Sequence, residues 1–144
     1  MSLLINSMQT SVSSFLLVGL GGGIGAMSRF GVSILANQFT MIPVIGTLIS
    51  NTLGCLIMGA IFQLLYVMAI DSSNELLVEQ NRLFFAVGFC GSFTTLSAVI
   101  LDAKQLFDIN QYIQSFMYLF GTMFSSIIFF FFGVFLINYF IQNQ

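Results

Sequence analysis

Residues 88–95 read GFCGSFTT and sit in the middle of an otherwise apolar run from Leu83 to Leu101. Glycine inside a helix costs about 1 kcal/mol relative to alanine, and serine and β-branched threonine weaken a helix through competing hydrogen bonds and lost rotamer freedom. The segment therefore predicts a helix broken near Gly91 to Thr95. In a bilayer the break has a further consequence, because carbonyls released from helical pairing have to be satisfied by protein, water or a cation. Interrupted helices near the midplane are the best sequence pointer to a transporter or channel site. Ordinary helix packing is the competing reading, and periodicity does not separate the two. A sodium ion is one cation that such carbonyls would hold.

The rest of the sequence makes the bilayer the solvent. The 144 residues are 58% hydrophobic and 6% charged, whereas soluble domains carry about 25% charged residues. No charged residue lies between Phe30 and Ile70 or after Asp108. A span needs about 20 apolar residues, and four stretches supply them: 15–36, 41–70, 83–101 and 109–141. The expected fold is an all-α integral membrane protein, one membrane domain over 1–144, multi-pass in the cell membrane. DSSNELLVEQNR, 71–82, is polar enough to be the one substantial loop. The N-terminal MSLLINSMQTSVSS lacks the basic region of a secretory signal, so the first segment is expected to be retained.

Orientation is weakly specified. Arg82 stands at the start of the third span and Lys104 beyond its end, so the positive-inside rule has almost nothing to count. A chain that inserts both ways can pair antiparallel with a second copy, the inverted geometry of many transporters. Other signals orienting it one way is the alternative. Small residues mark contact faces in lipid: Gly21 and Gly25, then Gly46, Ser50 and Gly54, then Gly121 and Ser125 recur every fourth residue.

Several function classes fall away. Three basic residues and a net charge of -2 offer no surface for nucleic acid. Cys55 and Cys90 have no CxxC spacing and the chain has no histidine, which supports neither zinc nor a disulfide framework and leaves both cysteines as small buried packing residues. GLGGGIGA (19–26) loosely matches a dinucleotide fingerprint, but it lies within a span and no acid follows before Asp71.

Polar residues inside spans carry more information, since each has to find a partner. Thr47, Asn51 and Cys55 share one face of the second span at i, i+4 spacing, and Tyr118, Thr122 and Ser126 share one face of the fourth. Stripes with hydrogen-bond donors and no carboxylate suit an uncharged anion path; structural glue is the other reading. Arg29 interrupts the first span, where it either snorkels to a surface or faces a wet vestibule.

Three motifs in order, GGGIGAMSRF, GTLISNTLG and GFCGSFTT, resemble the signature stretches of the Fluc (CrcB) family of fluoride channels, over about Gly21 to Ser126. The resemblance implies an antiparallel dual-topology dimer with two fluoride pores and a central, structural sodium. On this chain the sodium-coordinating carbonyls fall on Gly91 and Thr94, and the pore asparagine on Asn51. The vestibule arginine falls on Arg29, and the polar track on Tyr118, Thr122 and Ser126. Thr47 and Ser97 join the pore set, and Asp102 is the acidic residue beyond the break. The family typically reads TTFSTF where this chain reads TTLSAV. Leu96 and Val99 thus stand where two phenylalanines would turn their positive ring edges to fluoride, and Ala98 replaces a threonine.

The resemblance implies a channel that exports fluoride to relieve its toxicity, with no enzymatic reaction and with fluoride and membrane lipid as partners. The missing rings leave two resolutions open: a paralogous second subunit supplies them, or the remaining donors suffice in a pair of identical chains. A non-conducting assembly subunit and a small proton-coupled exporter are the rival readings. The second of these wants a carboxylate within a span, and Asp102 lies only at the end of the third.

Overall fold

The computed structural model describes residues 2–39, 44–71 and 74–143, with side chains over 12–39, 44–70 and 74–143. The expected start of the second span at Met41, and Ser72 and Ser73 of the expected loop, lie outside them. Helix α1 runs Ser2–Phe39 and α2 Ile45–Asp71. Helix α3, Glu75–Asn81, passes directly into a π-helical segment, Arg82–Cys90, and then into the short α4, Gly91–Phe93. Helices α5, Leu96–Asp108, and α6, Tyr112–Gln142, complete the described chain. Four helical runs are long and apolar enough to cross a membrane: Val12–Phe39, Ile45–Ile70, Glu75–Asp108 and Tyr112–Gln142. The expected all-α chain of four spans is met.

The polar stretch expected to be a loop is instead largely helix. Asn74 caps α3, its side-chain oxygen accepting from the Leu77 N–H at 3.2 Å, and Glu75 stands in the first turn where the helix dipole favours a negative charge. Arg82 then grips Glu79 with two bonds of 2.7 Å, one turn away. Polarity here marks an exposed helical end rather than irregular backbone.

The π-helical segment is the least expected element. Such widened turns are rare and recur at functional sites. Here the widening is matched to α1. Gly21 and Gly25 are one α-turn apart, and they face the carbonyls of Phe84 and Phe89, which are one π-turn apart. A Cβ at either glycine would overlap the carbonyl oxygen opposite, so the seam admits only glycine. Gly88 returns the contact from the other side, where a Cβ would lie 2.9 Å from the Val18 oxygen.

Helices α2 and α6 make a second seam of this kind, since Gly59 meets the Phe130 carbonyl and Gly133 meets that of Leu56. Lipid gives no hydrophobic drive, so close backbone approach supplies the packing. Thr52 and Ser125 add a hydroxyl pair at 3.1 Å across the same seam. Gly46 packs on Ser33 of α1, and Gly54 on Phe93 and Thr94. Gly121 has nothing of this chain within 4 Å of its would-be Cβ. Gly59→Ala is expected to cost about 1–3 kcal/mol by overpacking, because the obstructing atom is backbone. Gly23, with nothing within 4 Å, should accept alanine without loss. Thermal melting in detergent of both variants checks this, and equal midpoints would count against the seam.

Between α5 and α6 the chain reverses at Asn110, whose φ of 62° is tolerated by asparagine. The Gln111 N–H returns to the Leu106 carbonyl at 3.0 Å, closing the end of α5. The turn lays α6 against α5, where Val44, Val99, Ala103 and Tyr118 form the small core.

Candidate functional site

The third span loses its helical geometry at Thr94 (φ −86°, ψ 152°) and Thr95 (φ −158°, ψ 120°), both extended. Each threonine closes one side of the interruption. Thr94 ends the preceding helix, its N–H and its hydroxyl both donating to the Cys90 carbonyl at 3.0 and 2.9 Å. Thr95 starts α5 as its N-cap, its hydroxyl oxygen accepting from the Ala98 N–H at 3.4 Å.

A side chain from α2 completes the arrangement. Asn51, 7% exposed, accepts the Thr95 N–H on Oδ1 at 2.9 Å and turns Nδ2 toward the Thr95 carbonyl at 3.4 Å. Its Nδ2 also donates to the Thr47 carbonyl one turn back, at 2.8 Å. The carboxamide thus stands in for a neighbouring peptide group beside the extended residue.

These bonds explain which carbonyls are released. In an unbroken helix the Gly91 carbonyl would take the Thr95 N–H and the Thr94 carbonyl the Ala98 N–H. The first N–H goes to Asn51 and the second to the Thr95 hydroxyl. The Gly91 and Thr94 oxygens are thus two of the four, 91–94, that lose their helical donors where the helix ends.

An open cleft of about 560 Å³ lies beside the break, bordered by Asn51, Cys55, Gly91, Thr94, Thr95, Leu96, Val99, Thr122 and Ser126 among others. The polar faces expected of the second and fourth spans meet here. Tyr118 borders a separate depression with Thr52 and Ser125, and its hydroxyl donates to Asp102 Oδ2 at 3.0 Å. Thr122 spends its hydroxyl proton on the Tyr118 carbonyl at 2.7 Å, and Ser126 is half-buried on the cleft wall. Ser97 is exposed and pairs with the Thr95 hydroxyl at 3.0 Å. Neither Thr47 nor Arg29 borders the cleft; the Arg29 Nε is buried without a hydrogen-bond partner. Cys90 is fully buried as expected, but Cys55 is only half-buried and sits on the cleft wall.

The family model described as CrcB-like protein, Camphor Resistance (CrcB), matches residues 16–134. The chain belongs to this family. A protein of Prosthecochloris aestuarii named fluoride-specific ion channel FluC is 32% identical over 127 residues, 88% of this chain and 94% of its own length. Proteins of the same name from Chlorobium phaeobacteroides and Azobacteroides pseudotrichonymphae are 34% identical over 124 residues and 39% over 98. The first of these alignments covers 86% of this chain and 92% of the relative, and the second 67% and 73%. With four apolar spans and these relatives, the CrcB-like chain is a multi-pass membrane protein.

In this CrcB-like chain the two positions without phenylalanine have opposite surroundings. Both border the cleft, but Leu96 is 61% exposed whereas Val99 is 2% exposed and packed in the small core. Sequence reasoning put Thr95 at the break but missed that it caps the next helix and pairs with Asn51. The signal was present, since a threonine directly before the first residue of a new helix, here Leu96, is a common N-cap.

Proposed function

We propose that the chain is a subunit of a fluoride-selective channel that lets the ion leave the cell, with no catalytic step. The observation that carries this is the break itself: two extended threonines and released carbonyls beside a cleft whose lining, among the described residues, includes Asn51, Thr122 and Ser126 and no carboxylate, in a chain whose relatives are named fluoride-specific ion channels. Fluoride holds its water tightly, so a selective path has to offer replacement donors in a narrow, dry setting. Of the expected pore residues, Asn51, Thr122 and Ser126 border the cleft and form the polar path beside Ser97, whereas Thr47, Tyr118 and Arg29 lie off it.

The Gly91 and Thr94 carbonyls fit a structural sodium, because they are hard oxygen donors and, of the four residues whose carbonyls lose helical donors at the break, these two border the open cleft. Two antiparallel copies would place two such pairs on one axis. The ion would neutralise four carbonyl dipoles and lock the subunits together.

The second subunit is a paralogue that supplies the aromatic rings. Val99 supports this reading, since its buried setting beside Tyr118 is built around a small side chain. Reconstitution into liposomes with a fluoride electrode tests the proposal. The chain together with a phenylalanine-containing paralogue is expected to give rapid efflux, and the chain alone slow efflux. Equal and fast rates would remove the need for a paralogue, and no efflux from either preparation would leave a non-conducting assembly role.

A further inference from the structure

We infer that Asn51 is a positioning residue, one that serves the anion path by clamping the Thr95 peptide in its extended form rather than by giving a proton to the ion. The inference rests on the channel reading above, but its geometry stands independently. A primary amide has two protons and one carbonyl oxygen. Both Nδ2 protons face backbone carbonyls, Thr47 at 2.8 Å and Thr95 at 3.4 Å, and Oδ1 accepts the Thr95 N–H at 2.9 Å. One Nδ2 proton is committed to Thr47, and the other is held, more loosely, by the peptide that the side chain clamps.

The clamp also has a mechanical consequence. Thr95 has to be extended for its hydroxyl to cap α5, and its N–H has to leave Gly91 for the break to persist. Without Asn51 that N–H would have one good partner nearby, the Gly91 carbonyl, and pairing with it would rebuild a helical turn. The side chain of α2 thus selects the broken form of the third span. Gly54, one turn further along α2, allows the close approach this needs, since its would-be Cβ meets Phe93 and Thr94.

Two measurements separate a clamp from a direct donor. The first is hydrogen exchange at the Thr95 amide in the detergent-solubilised full chain. Asn51→Ala is expected to speed exchange about ten-fold or more, or to move the amide into a helical pattern of protection. This readout needs no ion, so it stands whether or not the chain conducts fluoride. The second is fluoride efflux with the Thr95 amide replaced by an ester, which deletes the N–H and leaves every side chain in place. The ester is expected to slow efflux as much as Asn51→Ala does, and the two changes together to slow it no further. Loss of efflux in Asn51→Ala with Thr95 exchange unchanged would overturn the clamp, as would full efflux through the ester variant.

Discussion

Fluoride efflux from vesicles carrying Asn51→Asp is expected to fall to the leak of protein-free vesicles. A carboxylate can still accept the Thr95 N–H, but it has no proton for the carbonyls of Thr47 and Thr95, which Nδ2 now faces at 2.8 and 3.4 Å. The clamp then holds on one side only, with two carbonyl oxygens turned toward a negative group. The charge adds a second loss. At a separation of about 5 Å and an effective dielectric near 20, two like charges repel by about 3 kcal/mol, which lowers anion occupancy more than a hundred-fold. The variant should still extract as a folded protein, because the glycine seams that hold the helices lie elsewhere. Efflux at the wild-type rate would take Asn51 out of the path in either role.

Much of this architecture was legible because lipid simplifies the rules. The four spans follow from apolar length alone, and the break follows from Gly91 and the tandem threonines. What was not legible depended on pairings across the fold. DSSNELLVEQNR reads as a loop by polarity, yet from Asn74 onward it is a capped helix, held by Asn74 and the Glu79–Arg82 pair. The π-helical segment has no composition of its own. It is visible only when Gly21 and Gly25 are set against the Phe84 and Phe89 carbonyls.

The candidate site divides along the same line. Spacing placed Asn51 and Cys55 on one face and Thr122 and Ser126 on another, and the fold brings these faces to one cleft. Spacing did not reveal that the Asn51 amide is already engaged, because its partners, Thr47 apart, belong to Thr95, far away in sequence. Nor did it separate Leu96 from Val99, since both read simply as apolar residues at ring positions.

That difference yields an asymmetric result for the restored rings. Leu96→Phe is expected to leave stability within about 0.5 kcal/mol, as exposed substitutions generally do, because Leu96 is 61% exposed. It puts an aromatic edge on the wall of the cleft and should raise efflux from the chain reconstituted alone. Val99→Phe should not behave this way. Val99 is 2% exposed among Val44, Ala103 and Tyr118, and the larger side chain is expected to cost about 1–3 kcal/mol of overpacking. It would also push on Tyr118, whose hydroxyl is held by Asp102 at 3.0 Å. The double variant should therefore melt like Val99→Phe and conduct less than Leu96→Phe alone, measured as efflux per folded protein beside a melting curve. Should Val99→Phe melt with the parent and the pair of rings give the faster efflux, the core around Val99 is not what excludes the second ring. The argument for a ring-bearing partner subunit would then lose its structural support.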